Sequence, residues 1–177
     1  MQRIVVIGSS GSGKSTLARA ISQKLGIPQI ELDDLHWAPG WIEIPDSEFR
    51  VLADAATSKG DWVASGNYSP VRDIVWGRAT TIVWLNYAFL PTAYRLIRRT
   101  IRRSRTGEPC CNGNQETWAR QLSRDSILLW LAKSWPKNRR NFPDALAQYA
   151  EGRTIVVHRT AHETQAWFAA LIAKRSA

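Results

Sequence analysis

Cysteine is scarce in this sequence: its 177 residues include two, Cys110 and Cys111, side by side. Adjacent cysteines have neither the spacing of a zinc site nor the number for a disulfide framework. They read as reduced thiols in a loop. Long apolar runs are also missing, and nothing reaches the roughly 20 residues that span a bilayer. No leader of charged, apolar and small residues opens the chain. A cytoplasmic protein without membrane partners is expected, as a monomer or homodimer. Repeats and low-complexity segments are absent, and the length suits a single α/β domain over 1–177, too short for a second nucleotide-binding module or a helicase.

Acidic residues are short in one place only. Between Arg95 and Arg140 there are twelve Lys/Arg against three Asp/Glu, and the rest of the chain balances, so the net charge of +9 belongs to that segment. Two function classes are excluded by missing motifs. No Asn/Thr-Lys-x-Asp guanine-reading motif is present, which argues against a GTPase. The strand "TIVWLN" ends in the neutral Asn86 rather than the Asp or Asp-Glu of a motor or transporter ATPase.

What is present begins at residue 8. "GSSGSGKST" fits G-x-x-x-x-G-K-[ST] and follows the apolar run "RIVVI". Gly8, Gly11 and Gly13 let the backbone lie close to a phosphate chain. The N–H groups of Ser9, Ser10, Gly11, Ser12 and Gly13, with Thr16, would point at it, aided by the positive end of the following helix. Lys14 would reach the terminal phosphate oxygens, and the Ser15 hydroxyl would be the Mg²⁺ ligand. The expected cofactors are ATP and Mg²⁺.

Periodicity along the chain predicts strands at "RIVVI", "PQIELDD", "DWVAS", "TIVWLN" and "RTIVVH". Helices are predicted at "KSTLARAISQKLG", "PDSEFRVLADAATSKG", "LPTAYRLIRRTIRRSRT", "NQETWARQLSRDSILLWLAKS" and "ETQAWFAALIAKR". "NRRNFPDALAQYA" is expected to be helical in part, broken or restarted at Pro143. The expected fold class is α/β: a P-loop NTPase with a five-stranded parallel sheet, helices on both faces, and a helical lid over about 90–150, like the nucleoside monophosphate kinases.

In such a sheet, ligands gather at the carboxyl ends of the strands. The second strand brings Asp33 and Asp34 there, where a small-molecule kinase binds its acceptor hydroxyl. Asp33 is the candidate general base or acceptor contact; as an alternative it caps a helix. Asp34, His36, Trp37, Asn67, Tyr68 and Arg72 are the other acceptor candidates. For His36 and Trp37 a packing role competes, and for Arg72 a pairing with Asp73 or Asp54.

Arg95, Arg98, Arg99, Arg102 and Arg103 recur at helical spacing, with Leu90, Tyr94, Ile97 and Ile101 opposite them and expected against the sheet. Arg99 and Arg103 are the candidate catalytic lid arginines, with Arg120 and Arg124 able to complete the lid. A solvated face and a nucleic-acid phosphate surface are the competing readings. Arg159, after the fifth strand, is a candidate contact to the adenine.

The strings "LDDLHWAPGW", "SGNYSPVRDIVW", "NGNQETW" and "SRDSILLW" resemble the topology modulation proteins (FlaR-like), small P-loop proteins grouped with adenylate-kinase-like kinases. The resemblance runs from Arg3 to about Trp167 and implies a nucleoside-monophosphate-kinase-like fold using ATP and Mg²⁺, with no acceptor named. That family usually has Asp where this chain has Ser65 and Asn86, which shifts the burden to Asp33. The Asp-Gly-Phe/Tyr-Pro-Arg pattern of adenylate kinases is absent. The leading expectation is an ATP-dependent kinase of a nucleotide-like or other polar small molecule. A nucleic-acid-associated ATPase or DNA topology modulator, and an ATP-binding pseudokinase, are the alternatives.

Overall fold

The structure, a computed structural model, describes residues 1–121, 123 and 126–176. Arg124 lies outside the described residues. Five parallel strands form the central sheet: β1 (Arg3–Gly8), β2 (Gln29–Glu31), β5 (Trp62–Ser65), β6 (Thr81–Leu85) and β9 (Thr154–His158). Their order is β2-β5-β1-β6-β9, which puts β1 at the centre. Alternation along β1 sorts the core. Val5 and Ile7 face one layer with Phe49, Trp62, Trp76 and Phe142, while Ile4 and Val6 face the other with Leu17, Ile21 and Leu85. Both faces are covered, so the strands read as continuous apolar runs.

The first layer is covered by α3 (Asp46–Thr57), α4 (Arg72–Arg78) and α7 (Ile127–Gln148), and the second by α1 (Lys14–Leu25) and α8 (Ala161–Ser176). Helix α4 follows a 3-10 turn at Ser69–Val71 and is not among the helices predicted from the sequence. In α1, Leu17, Ala18, Ile21 and Leu25 are buried.

Four sequence expectations are corrected. The second strand stops at Glu31, and Leu32–His36 forms the short helix α2, so Asp33 and Asp34 sit on a helix rather than a strand end. Two hairpins were not predicted: β3 (Trp37–Ala38) with β4 (Ile42–Glu43), and β7 (Pro109–Cys110) with β8 (Asn114–Gln115). The second takes up the start of the helix expected from Asn114, leaving only α6 (Trp118–Gln121) and the separate α7. Helix α7 continues through Pro136 and Pro143. A proline inside a helix costs about 3 kcal/mol or more; burial of Leu131, Phe142, Ala145 and Leu146 on its inner face offsets that locally.

The fourth correction concerns α5 (Phe89–Thr106). Its buried positions are Thr92, Leu96 and Thr100, whereas Leu90 and Tyr94 are 78% and 61% exposed. The expected face is thus turned. The cause is contact with the phosphate loop: a Cβ on Gly11 would lie 2.6 Å from the Thr92 carbonyl oxygen and 2.9 Å from the Leu96 Cβ. Only glycine allows that approach, at a φ of +81°. No helix among the described residues is long and apolar enough to cross a membrane.

Candidate active site

The glycine-rich loop joins the end of β1 to the start of α1, at the centre of the sheet. Gly13 precedes α1 in the left-handed conformation, with φ 94° and ψ 18°. The Lys14 ammonium folds back to donate to the Ser9 carbonyl at 3.2 Å. Burial pulls its pKa below the ordinary value of 10.5; Arg99 pulls the same way, while Asp33 and Glu31 oppose it. Lys14 therefore stands near two carboxylates, Asp33 and Glu31, and the Arg99 guanidinium.

One of those carboxylates was missed by sequence reasoning. Glu31 ends β2, and its register partner on β5 is Ser65. Its Oε2 accepts from the Ser15 hydroxyl at 2.9 Å and the Ser65 hydroxyl at 2.5 Å. The Gln29 side-chain amide donates to its other oxygen. Ser65 thus does not leave the site without a charge, because the neighbouring strand supplies a carboxylate beside Ser15. The available signal was that adjacency, which needs the strand order. Hard oxygen donors from Ser15 and Glu31, next to the phosphate loop, suit Mg²⁺. Among the described residues, no group of three or more His, Cys, Asp or Glu side chains forms a separate metal site.

Burial raises the Glu31 pKa above its ordinary 4.5, with Asp33 adding to the rise and the Ser65 and Ser15 hydrogen bonds opposing it. A raised carboxyl pKa means the folded state holds the proton more tightly than the unfolded chain. Its stabilising contribution is present below about pH 4.5 and is lost as pH rises through the folded value. Glu31→Gln is therefore expected to raise the melting temperature of the ligand-free protein at pH 7, and to weaken the added stabilisation by Mg·ATP. Thermal melts with and without Mg²⁺ check both.

Asp33 stands on α2 and accepts from the Tyr68 hydroxyl at 2.7 Å. Burial, and then the Asp33 charge, push the Tyr68 phenol well above its usual range. It stays a proton donor that orients the carboxylate. His36 lies behind this pair, buried among Phe49, Tyr68 and Trp37 with centroid distances of 5.0, 4.5 and 5.1 Å. Asn67 precedes Tyr68 on the loop after β5. Arg72 does not pair with Asp73 or Asp54, since Arg50 takes the first at 2.7 Å and Arg78 the second at 2.6 Å. It packs over Trp76, at 4.8 Å from the ring centroid, with its buried Nε lacking a hydrogen-bond partner among the described residues.

The two hairpins meet each other and α2. Asn112 N–H donates to Asp34 at 3.2 Å, and the Trp41 N–H donates to the Asn114 side chain at 2.8 Å. Asn114 also donates to the Ala38 carbonyl at 3.0 Å. Trp37 meets Trp41 edge to face at 5.6 Å. Arg120 covers Trp41, 4.4 Å above its ring.

Arg99 and Arg103 turn inward, against the expectation that the whole stripe is exposed. Arg103 donates to the Glu116 carboxylate at 2.9 Å, and Arg99 pairs with the same oxygen at 3.6 Å. Glu116 is only 6% exposed. Burial lowers the Arg99 pKa, opposed first by Glu116. Arg98 and Arg102 remain at the surface. Glu116→Gln would leave two neighbouring guanidiniums without their counter-charge. A fully buried pair loses about 3–5 kcal/mol when one partner is removed; with Arg99 about a third exposed, a loss of about 2 kcal/mol is expected. That is a fall of about 4–8 °C in Tm, checked by calorimetry.

Arg159 is exposed, and its N–H donates to Glu163 at 2.7 Å, in the turn that opens α8. His158 is buried against Trp167.

Together these features comprise a glycine-rich loop, a serine–carboxylate pair beside it, a tyrosine-held aspartate and two inward-turned arginines. This is the fold of the small P-loop kinases. The chain superposes on a gluconokinase from Sinorhizobium meliloti with a TM-score of 0.53 and 22% identity, covering 99% of this chain and 95% of that one. A shikimate kinase from Acinetobacter baumannii, solved with shikimate, gives a TM-score of 0.61 at 16% identity, covering 97% and 91%. A shikimate kinase from Bacteroides thetaiotaomicron gives 0.54 at 16% identity over 99% of both chains. In sequence, a probable gluconokinase from Schizosaccharomyces pombe is 66% identical over 32 residues, which is 18% of this chain and 17% of that protein. No family model matches the chain.

Proposed function

We propose that this protein is an ATP-dependent phosphotransferase acting on a hydroxyl of a small polar acceptor. The observation that carries the proposal is Asp33, hydrogen-bonded to Tyr68 and facing Lys14 across the cleft. When bound, ATP supplies the transferable phosphoryl group and Mg²⁺ neutralises its charge. The loop N–H groups and Lys14 would hold the phosphates, and Ser15 with Glu31 would hold the metal. Asp33 would take the proton of the acceptor hydroxyl. Tyr68 fixes the carboxylate's direction, and the two clasped hairpins would limit the access of water. Arg99 and Arg103, held by Glu116, would supply positive charge to the transferring group.

The acceptor class follows from the site and its neighbours together. Gluconate and shikimate, the compounds named for the similar proteins, are hydroxylated carboxylic acids. Arg72 offers a guanidinium with an unpartnered Nε, suited to a carboxylate. A polyhydroxy acid is therefore the acceptor proposed, in place of a nucleotide. Membership of the topology modulation family rests on the sequence strings and is part of the same proposal.

The test is ADP release from Mg·ATP with gluconate, shikimate, nucleoside monophosphates or duplex DNA added in turn. Stimulation by a hydroxy acid supports the proposal. Stimulation by DNA alone, falling steeply with salt, would transfer Arg98 and Arg102 to a phosphate-binding surface and defeat it.

A further inference from the structure

The two cysteines are not in a remote loop. Cys110 ends β7 and Cys111 begins the turn to β8, and both are half-buried. Cys110 stands among Arg103, Arg99 and Glu116. Cys111 stands beside Asp33, Asp34 and Tyr68. The two thiols are adjacent in the chain, and each shifts the other's ionisation. Cys111, Asn112 and Gly113 have positive φ values of 41°, 59° and 83°, and the residue that follows the thiols, Asn112, carries the bond to Asp34. The turn that presents the sulfurs thus also ties the lid to the acceptor side.

From this placement we infer that Cys110–Cys111 is an oxidative modification site, at which a hydroperoxide converts the adjacent thiols to a reversible disulfide and loosens the clasp between the hairpins. The division of labour between the sulfurs follows from their surroundings. Cys111, and then the arginines, lower the Cys110 pKa, making it the more readily ionised of the two sulfurs. The same pairing, with burial and the two aspartates, pushes Cys111 up and keeps it a thiol. The ionised Cys110 sulfur attacks the peroxide oxygen that bears hydrogen, the O–O bond breaks, and the departing oxygen takes a proton from solvent and leaves as an alcohol or water. The sulfenic acid formed no longer carries the charge that held Cys111 protonated. Cys111 sulfur then attacks Cys110 sulfur, and the hydroxyl leaves with the Cys111 proton as water.

Reversibility has a geometric cause. Adjacent Cα atoms across a trans peptide are about 3.8 Å apart, below the roughly 4.4 Å at which disulfides usually begin. Such a bond is strained and readily reduced. The backbone must turn at the Cys110–Cys111 junction, and Cys110 is the register partner of Asn114, whose side chain holds Trp41 and Ala38.

The experiment treats the full chain with hydrogen peroxide and follows the tryptic peptide Thr106–Arg120, which contains both of the protein's cysteines. The expected result is loss of two hydrogens within that peptide, restored by dithiothreitol, with faster amide exchange at Trp41 in the oxidised form. In Cys111→Ser, dimedone should trap a Cys110 sulfenic acid. Cys110→Ser should react about tenfold more slowly than Cys111→Ser, as a thiol less readily ionised does. Retention of both thiols, equal rates in the two variants, or linkage only between separate molecules would each overturn the inference. These readouts do not depend on the kinase reading.

Discussion

Lys14→Met is expected to lower kcat/KM for phosphoryl transfer by about 10²–10³-fold or more, the scale of removing a preorganised charge stabiliser. The ligand-free variant should nevertheless fold at least as firmly as the parent. The reason is the burial that depresses the Lys14 pKa. A depressed lysine pKa means the unfolded chain binds the proton more tightly, so parental stability rises with pH between the folded value and 10.5. Methionine keeps most of the length and removes the buried charge, so that rise should vanish from the variant's pH–stability profile. A variant that lost activity by unfolding would show the opposite in a melt. Retention of the parental transfer rate would remove Lys14 from the mechanism.

Asp33→Asn is expected to reduce kcat by about 10²–10⁴-fold, the usual contribution of a positioned general base, while nucleotide binding changes little. The amide preserves shape and can still accept from Tyr68, so the comparison isolates the proton-accepting role. Tyr68→Phe should give a smaller loss, because the phenol positions Asp33 and the phenyl ring keeps its contacts with His36 and Phe49. The measurement is steady-state kinetics with whichever acceptor stimulates ADP release, together with nucleotide affinity from a binding titration. If Asp33→Asn weakened nucleotide binding and left kcat intact, Asp33 would belong to the metal site with Glu31 instead.

These two variants differ in how openly the sequence announced them. Lys14 is set by local chemistry: a strand, a glycine-rich turn and a helix start are adjacent in the chain, and their spacing carries the meaning. Asp33 was legible only through topology, and for a partly wrong reason. It was read as a strand-end residue, but β2 ends at Glu31 and the short helix α2 presents Asp33 to Tyr68.

What the sequence determined by itself was the phosphate loop, the five parallel strands, the length of α5 and the confinement of the basic surplus to 95–140. Each depends on neighbours in the chain or on a period of two or 3.6 residues. Tertiary structure decided the rest. Glu31 meets Ser65 because β2 pairs with β5, an adjacency between residues far apart in sequence. Arg99 and Arg103 face inward because the Gly11 backbone seats against Thr92 and Leu96 and so fixes the roll of α5. The cysteines reach Asp33 and Asp34 because the β7–β8 hairpin folds back on α2, through bonds such as Asn112 to Asp34. Local periodicity specifies which face of an element is apolar. It does not specify what that face, or the polar residues at its edges, will meet, and here those meetings make the site.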